Sequence, residues 1–308
     1  MTVQSRSSSP VVLGQNQYGK AENRVVRITR NGATHHIRDL NVSIALSGDM
    51  EDVHRSGSNA HVLPTDTTKN TVFAFAKEHG VASPEQFAIH LARHFVTSQD
   101  AIHRARVRVE EYAWERIGAG GDEAGGHSFA RRGQEVRLAQ VTYDGDRWEV
   151  VSGLKDLTVM NSTDSEFWGY VKDDYTTLKE AYDRILATSV HGRWRFNWTG
   201  DDQETPDWDA SYAAARTHLL QAFAETYSLS LQQTLFQMGT RIIDHRAEID
   251  EVRFSLPNSH HFLVDLEPFG LKNDNEVYFA ADRPYGLIEG TVLREGCEAR
   301  IPSDLTNL

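Results

Sequence analysis

Two stretches half a chain apart carry one pattern: "IHRARVRV" at 102–109 and "IDEVRFSL" at 249–256. Successive side chains of a strand point to opposite faces, so apolar residues at alternate places mark one buried side. Ile102 matches Ile249, Val107 matches Phe254 and Val109 matches Leu256, each 147 positions apart in 308 residues. Upstream of the first stretch, "RVVRITRNGATHHIRDLNVSIAL" reads as two strands around an Asn31-Gly32 hairpin turn. A helix from about Thr65 follows, then a second in "SPEQFAIHLARHF", where Phe87, Leu91 and Phe95 share a face and Ser83-Pro84 supplies the start. Downstream, a glycine-rich loop leads to "EVRLAQVTYDGDRWEVVSGL", two strands about Asp144-Gly145.

The same order surrounds the second stretch. "RWRFNW" is extended, one helix carries Tyr212, Leu219, Leu220, Phe223 and Tyr227, and the next carries Leu231, Leu235, Met238 and Ile242. "EVYFAADRPYGLIEGTVL" closes the pattern. The fold class is therefore α+β: two tandem β-β-α-α-β-β repeats over 11–150 and 151–295, antiparallel sheets with helices on one face. A disordered arm at 1–10 and a tail at 296–308 flank them. Such sheets leave edges and an uncovered face, which oligomerisation hides.

Composition narrows the function classes. The AVILMFWYC residues make up 39%, with 6 Trp, 10 Tyr and 13 Phe for a core, and the net charge of −12 argues against a nucleic-acid backbone as partner. An anionic ligand then needs a locally placed cation. The single cysteine, Cys297, forms no intrachain disulfide and has no local histidine, so it reads as a bystander thiol in a reducing, cytoplasmic setting. No apolar run is long enough to cross a membrane. "MTVQSRSSSP" lacks the apolar centre of a signal peptide, and "SDLTNL" is not a peroxisomal address.

Several motifs admit more than one reading. "LPTDTTKN", 63–70, crowds polar side chains at a helix start, which either cap the first turn or seat an anion there. His90 and His94 lie one helical turn apart but lack the glutamate of a zinc-protease pair. "GAGGDEAGGHSF", 118–129, lies between strands and lacks a phosphate-loop pattern, so a mobile hairpin loop is expected. In "PNSHHF", 257–262, proline and asparagine break an alternating strand, giving either a bulged edge strand with solvated histidines or a site. Thr177 and Glu180 have the spacing of a capping box, with Leu178, Tyr182, Ile185 and Leu186 as the stripe of the helix expected there. Arg184 lies off that stripe, and Phe167-Trp168 offers a flat surface for a ring. Either these are core aromatics beside a surface arginine, or they wall a site for a planar anion.

The run "LTVMNSTDSEFWGYVKDDYTTLKEAYDR", 157–184, resembles the central signature of the urate oxidase (uricase) family. "QYGKAENRVV", "TDTTKNTV", "HSF", "YSLSLQQTLFQM" and "PNSHHF" resemble its other blocks, in the same order, over about residues 15 to 295. The resemblance implies the tunnelling fold, a barrel-shaped homotetramer with sites at subunit interfaces, and oxidation of urate by dioxygen without cofactor or metal. It implies Lys20, Thr65 and His260 as a proton relay, and Phe167 stacking on the purine. Arg184 and Gln232 would grip the purine edges, aided by the backbones of Leu231 and Asp66. Asn258, with Thr65, would border the oxygen and water site. Many relatives carry valine where this chain has Leu231, a change that a backbone contact survives. The missing peroxisomal tripeptide points to a bacterial-type enzyme. Two rival classes stand beside it. A pterin or purine enzyme of the same fold calls for zinc-ligating His or Cys sets. A non-catalytic purine binder would be expected to lose Lys20 or Thr65.

Overall fold

The computed structural model describes residues 11–118 and 126–303. The expected arm at 1–10 and residues 119–125 of the glycine-rich loop lie outside the described residues. The elements run β1 (Tyr18–Asn31), β2 (Thr34–Gly48), α1 (Glu51–Arg55), α2 (Thr65–Glu78), α3 (Pro84–Thr97), β3 (Ile102–Arg116) and β4 (Phe129–Tyr143). There follow β5 (Trp148–Asn161), β6 (Leu186–Phe196), α4 (Trp208–Glu225), α5 (Leu231–His245), β7 (Ile249–Leu263), a short 3-10 turn and β8 (Tyr278–Leu293). All eight strands join one antiparallel sheet whose spatial order is the chain order. The fold is α+β, with α3 against β3 and β4, α2 against β1, and α5 against β7 and β8.

Alternation builds the core. Leu40, Val42, Ile44 and Leu46 of β2, Ala105, Val107 and Val109 of β3, and Val252, Phe254 and Leu256 of β7 are buried on the helix side. The intervening residues face the helix-free side. Gly32 closes the first hairpin at φ +57°, a left-handed conformation glycine adopts without a Cβ penalty. Ser83 and Ser230 cap α3 and α5 by accepting from Gln86 N and Gln233 N. The two helix pairs meet at a buried charge cluster. Arg137 on β4 donates to Glu85 of α3 at 2.7 Å and to Asp209 of α4 at 2.6 Å, while the Ser152 hydroxyl donates to Glu85 at 2.5 Å.

Four expectations are corrected. No helix starts at Thr177: residues 171–185 are irregular, and Phe167 exchanges backbone hydrogen bonds with Ala181 as an isolated antiparallel bridge. A tight turn consumes the local capping groups, since Asp173 N donates to Thr176 Oγ1 and Tyr175 N to Asp173 Oδ1. Glu180 binds Lys172 and the Tyr182 hydroxyl, so Leu178 and Tyr182 are exposed in the chain and only Leu186 is buried, in β6. Second, Thr65 and Asp66 do not cap α2. Pro64 holds the cap position and its carbonyl accepts from Thr67 N and Thr68 N, while Asp66 binds Lys69 and Asn70. Third, β7 is no edge strand. It pairs with β6 and β8, with a register shift between Asn258 and His260. Tyr227 also falls outside α4, in the connection to α5.

Candidate active site

The predicted residues form two groups at opposite ends of the sheet. The first lies on β1 and the start of α2. The Tyr18 hydroxyl accepts from Leu63 N at 2.9 Å, tying the approach to α2 onto β1. Asn23 reaches the Lys69 carbonyl at 3.4 Å. Between these ties lie half-buried Lys20 and Thr65, with exposed Asp66 beside them. Lys69 holds the Asp66 carboxyl below its ordinary range by hydrogen bond and charge, and the Lys20 charge adds to this. No hydrogen bond joins Lys20 to Thr65 among the described residues.

Backbone geometry explains why lysine follows glycine here. A Cβ on Gly19 would meet the Ile44 carbonyl oxygen at 1.9 Å, so only glycine lets β1 lie this close to β2. Just beyond Lys20 the register shifts, and Glu22 sits at φ +56° with its N–H donated to Ser43 Oγ at 2.9 Å. Neither Gly19 nor this bulge was singled out from the sequence; the "YGK" triplet and its adjacent Glu22 were the available signal.

The second group gathers at the start of α5. The 162–185 excursion between β5 and β6 is stitched to the α4–α5 connection: Glu166 N donates to Ser228 O, and Ser228 N to Asp164 O. Buried Thr234 donates to Ser228 Oγ at 2.8 Å. Ser228 and Thr234 position these segments without a spacing signal of their own. They bring Phe167 and Arg184 to the end of α5 that carries Leu231 and Gln232. Arg184 Nε donates to Ser165 Oγ at 3.0 Å, and the guanidinium lies 5.2 Å from the Phe167 ring. Its two terminal nitrogens have no hydrogen bond among the described residues, and burial lowers its pKa. Leu231 is buried and Gln232 exposed in the first turn of α5, where unpaired N–H groups give a positive end. Asn258 and His260 flank the β7 bulge, with Asn258 opposite Thr188 and Gly286 and the His260 ring 5.9 Å from Phe262.

Six strand intervals separate β1 from β7, about 29 Å along the sheet. Lys20 and Thr65 therefore do not meet His260 or Arg184 within one chain. A 710 Å³ cleft near Arg137, Tyr212 and Arg216 contains none of the predicted residues. No three His, Cys, Asp or Glu side chains converge as a metal set among the described residues. His90 instead stacks on His79 at 5.0 Å, and His94 meets Phe75 at 4.9 Å.

A family model described as Uricase matches residues 16–142 and 150–289. The chain belongs to the uricase family. It is 51% identical over 301 residues to a uricase from Arthrobacter globiformis, covering 98% of this chain and 96% of that one. A uricase from Danio rerio is 35% identical over 295 residues, with 94% and 97% covered. The crystal structure of an Arthrobacter globiformis uricase superposes with a TM-score of 0.89 at 52% identity, covering 96% of this chain and 99% of that one. The uricase matches extend across both groups of site residues.

Proposed function

We propose that the chain oxidises urate with dioxygen and water to 5-hydroxyisourate and hydrogen peroxide, as an early step of purine breakdown. Membership of the uricase family carries this reading. The two residue groups support it, since a base-bearing end and a clamp for a planar anion are both retained.

Urate is an electron-rich anion; removing a further proton lets it reduce dioxygen directly, without metal or flavin. Lys20 takes that proton through Thr65, with His260 completing the relay. Phe167 stacks on the ring, and the free end of the Arg184 guanidinium forms a charge-assisted fork on the anion. Gln232 reads the ring's polar edge, and the backbones of Leu231 and Asp66 add contacts. Asn258 and Thr65 hold first dioxygen and then water above the ring. The reaction takes place in the cytoplasm, a reading the single cysteine supports. Among the described residues no helix is long and apolar enough to cross a membrane.

The complete site takes two chains. Among the described residues β1 pairs only with β2 and β8 only with β7, so both outer edges are open. An even number of antiparallel strands makes β1 and β8 run in opposite directions. A two-fold axis can then join β1 of each copy to β8 of the other. This closes a ring from the tandem β-β-α-α-β-β repeats of the tunnelling fold, and two such rings stack into a homotetramer. Each β1–β8 seam brings the Lys20–Thr65 end of one chain toward the Arg184 clamp of its neighbour.

Thr65→Ala and Arg184→Ala proteins, each nearly inactive alone, test this when refolded together. A mixed dimer holds one doubly damaged site and one intact site, so random pairing restores roughly one quarter of full activity. Activity is read as loss of urate's near-ultraviolet absorbance with oxygen uptake. Mixed oligomers as inactive as their parents place each site within one chain.

A further inference from the structure

The helix α5 runs down the end of the sheet in step with β8. A Cβ on Gly239 would meet Val292 Cγ2 at 2.5 Å, and one on Gly290 would meet Leu235 Cδ2 at 2.9 Å. One turn toward the start of α5 thus matches two residues back along β8, as expected when about 5.4 Å of helix faces about 6.8 Å of strand. A further turn brings Leu231, the first residue of α5, over the row of Ile288 and Leu256. The next row is Gly286, Asn258, Thr188 and Val159, across β8, β7, β6 and β5. It lies just beyond the helix start, beside Leu231 and Gln232.

Thr188 faces the helix side, in step with Leu186, Val190 and Trp194 of β6. It is 0% exposed, and its hydroxyl oxygen has no hydrogen-bond partner. Two equally buried threonines behave differently: Thr68 donates to the Thr65 carbonyl at 2.8 Å, and Thr234 to Ser228 Oγ at 2.8 Å. A buried hydroxyl without a partner costs stability that a valine of the same shape does not. Packing gives no reason for a hydroxyl here; Asn258 gives one. The two residues lie directly opposite on neighbouring strands and on one face, which sets their Cβ atoms about 4.5–5.5 Å apart. One water spans that gap. On its other flank Asn258 has Gly286, where a Cβ would meet nothing within 4 Å. Thr188 is therefore the only other polar side chain of this row. The Asn258 carboxamide is half-buried and makes no hydrogen bond among the described residues. Its Oδ1 only accepts and its Nδ2 only donates. Dioxygen accepts hydrogen bonds and donates none, so the useful orientation turns Nδ2 toward it.

We propose that Thr188 is a positioning residue for the oxygen site. Its hydroxyl donates to one bridging water, which donates in turn to Asn258 Oδ1 and leaves Nδ2 free to meet dioxygen. The inference rests on the urate reading and adds to it a residue that touches neither urate nor oxygen.

Thr188→Val and Thr188→Ser, made in the full-length protein, test it. Valine should lower kcat/KM for dioxygen by about five- to tenfold, the worth of one orienting hydrogen bond, with urate binding measured without oxygen within about twofold of wild type. Its melting temperature should equal or exceed that of the wild type, so the loss does not come from unfolding. Serine should restore most of the oxygen kinetics. In an Asn258→Ala background, Thr188→Val should add little further loss. Thr188→Ala also lacks the hydroxyl and repeats the kinetic test should the valine variant fail to fold. Wild-type oxygen kinetics without the hydroxyl, serine as impaired as valine, or full additivity with Asn258→Ala overturns the proposal. So does urate affinity that falls in step with turnover. A wild-type protein that neither binds nor oxidises urate overturns the urate reading and this inference with it. An active wild type indifferent to Thr188→Val overturns this inference alone.

Discussion

Replacing Arg137 with methionine tests how the two helix pairs are held together. Arg137 joins Glu85 and Asp209, and its guanidinium lies 4.4 Å from the Tyr212 ring. Glu85 has 0% side-chain exposure, so without Arg137 it keeps only the Ser152 hydroxyl as a side-chain donor. Breaking a buried pair while leaving one charge behind costs about 3–5 kcal/mol. Over a chain of this length that corresponds to a melting point lower by about 5–8 °C at matched protein concentration. The loss should depend on pH in a defined sense. Desolvation already raises the Glu85 pKa above its ordinary value, outweighing Arg137 and Ser152, which lower it. A carboxyl raised on folding gives up stability as pH climbs from its unfolded value through its folded one. Without Arg137 that rise grows. The deficit of Arg137→Met should therefore be smallest in the acid range, where Glu85 is protonated in both states, and largest near neutrality. Adding Glu85→Gln should recover most of the neutral-pH loss. Urea unfolding across pH, where refolding is reversible, measures all three proteins. A loss of less than about 1 kcal/mol, or one equally large at every pH, would refute the reasoning.

Other outcomes follow from the site. Exhaustive chelation should leave urate oxidation unchanged, checked by oxygen uptake; activity lost to chelator and restored by zinc, copper or iron would sink the metal-free chemistry. Lys20→Met should lower kcat by about 10²–10⁴-fold with little change in substrate affinity, because proton transfer matters chiefly in the transition state. Arg184→Ala should instead weaken urate binding by about 10–150-fold, the worth of a charge-assisted hydrogen bond. Binding without oxygen and steady-state kinetics separate the two; the opposite split would exchange the roles. Gly19→Ala should lower turnover, because its Cβ cannot share space with the Ile44 carbonyl and β1 must shift at Lys20. Wild-type turnover with an unaltered fold would contradict that geometry.

The strands were legible because their period of two is a local property. Val107 and Val109, or Phe254 and Leu256, display the buried side without knowledge of what covers it. Ser83 marked a real helix start, since its side chain finds an amide within its own turn. Thr177 carried the same kind of signal and failed. Its segment gains more from the Phe167–Ala181 bridge and from the turn at Asp173–Thr176 than an isolated short helix offers. The site was less legible still. Lys20 and Arg184 gain joint meaning only through the family resemblance, because they lie near opposite edges of the sheet. Ser165, Ser228 and Thr234 position the clamp through contacts between distant segments, and no spacing rule reports those.

The sheet order also bears on how the molecule is assembled during synthesis. Since spatial order repeats chain order, each strand has its partner already made when it emerges from the ribosome, and no strand must be threaded between two others. The longest detours fall between β2 and β3 and between β6 and β7. Closing such loops adds little, since doubling a loop's length costs only about 0.6 kcal/mol. Contacts of low sequence separation favour rapid folding. In the ring proposed above, the last event is different in kind: β1 would find β8 of another copy only after a second chain arrives. Early refolding should be independent of concentration, and recovery of urate oxidation should follow second-order kinetics. Between the two stages the subunit exposes unpaired strand edges, and at this stage it is most prone to aggregate.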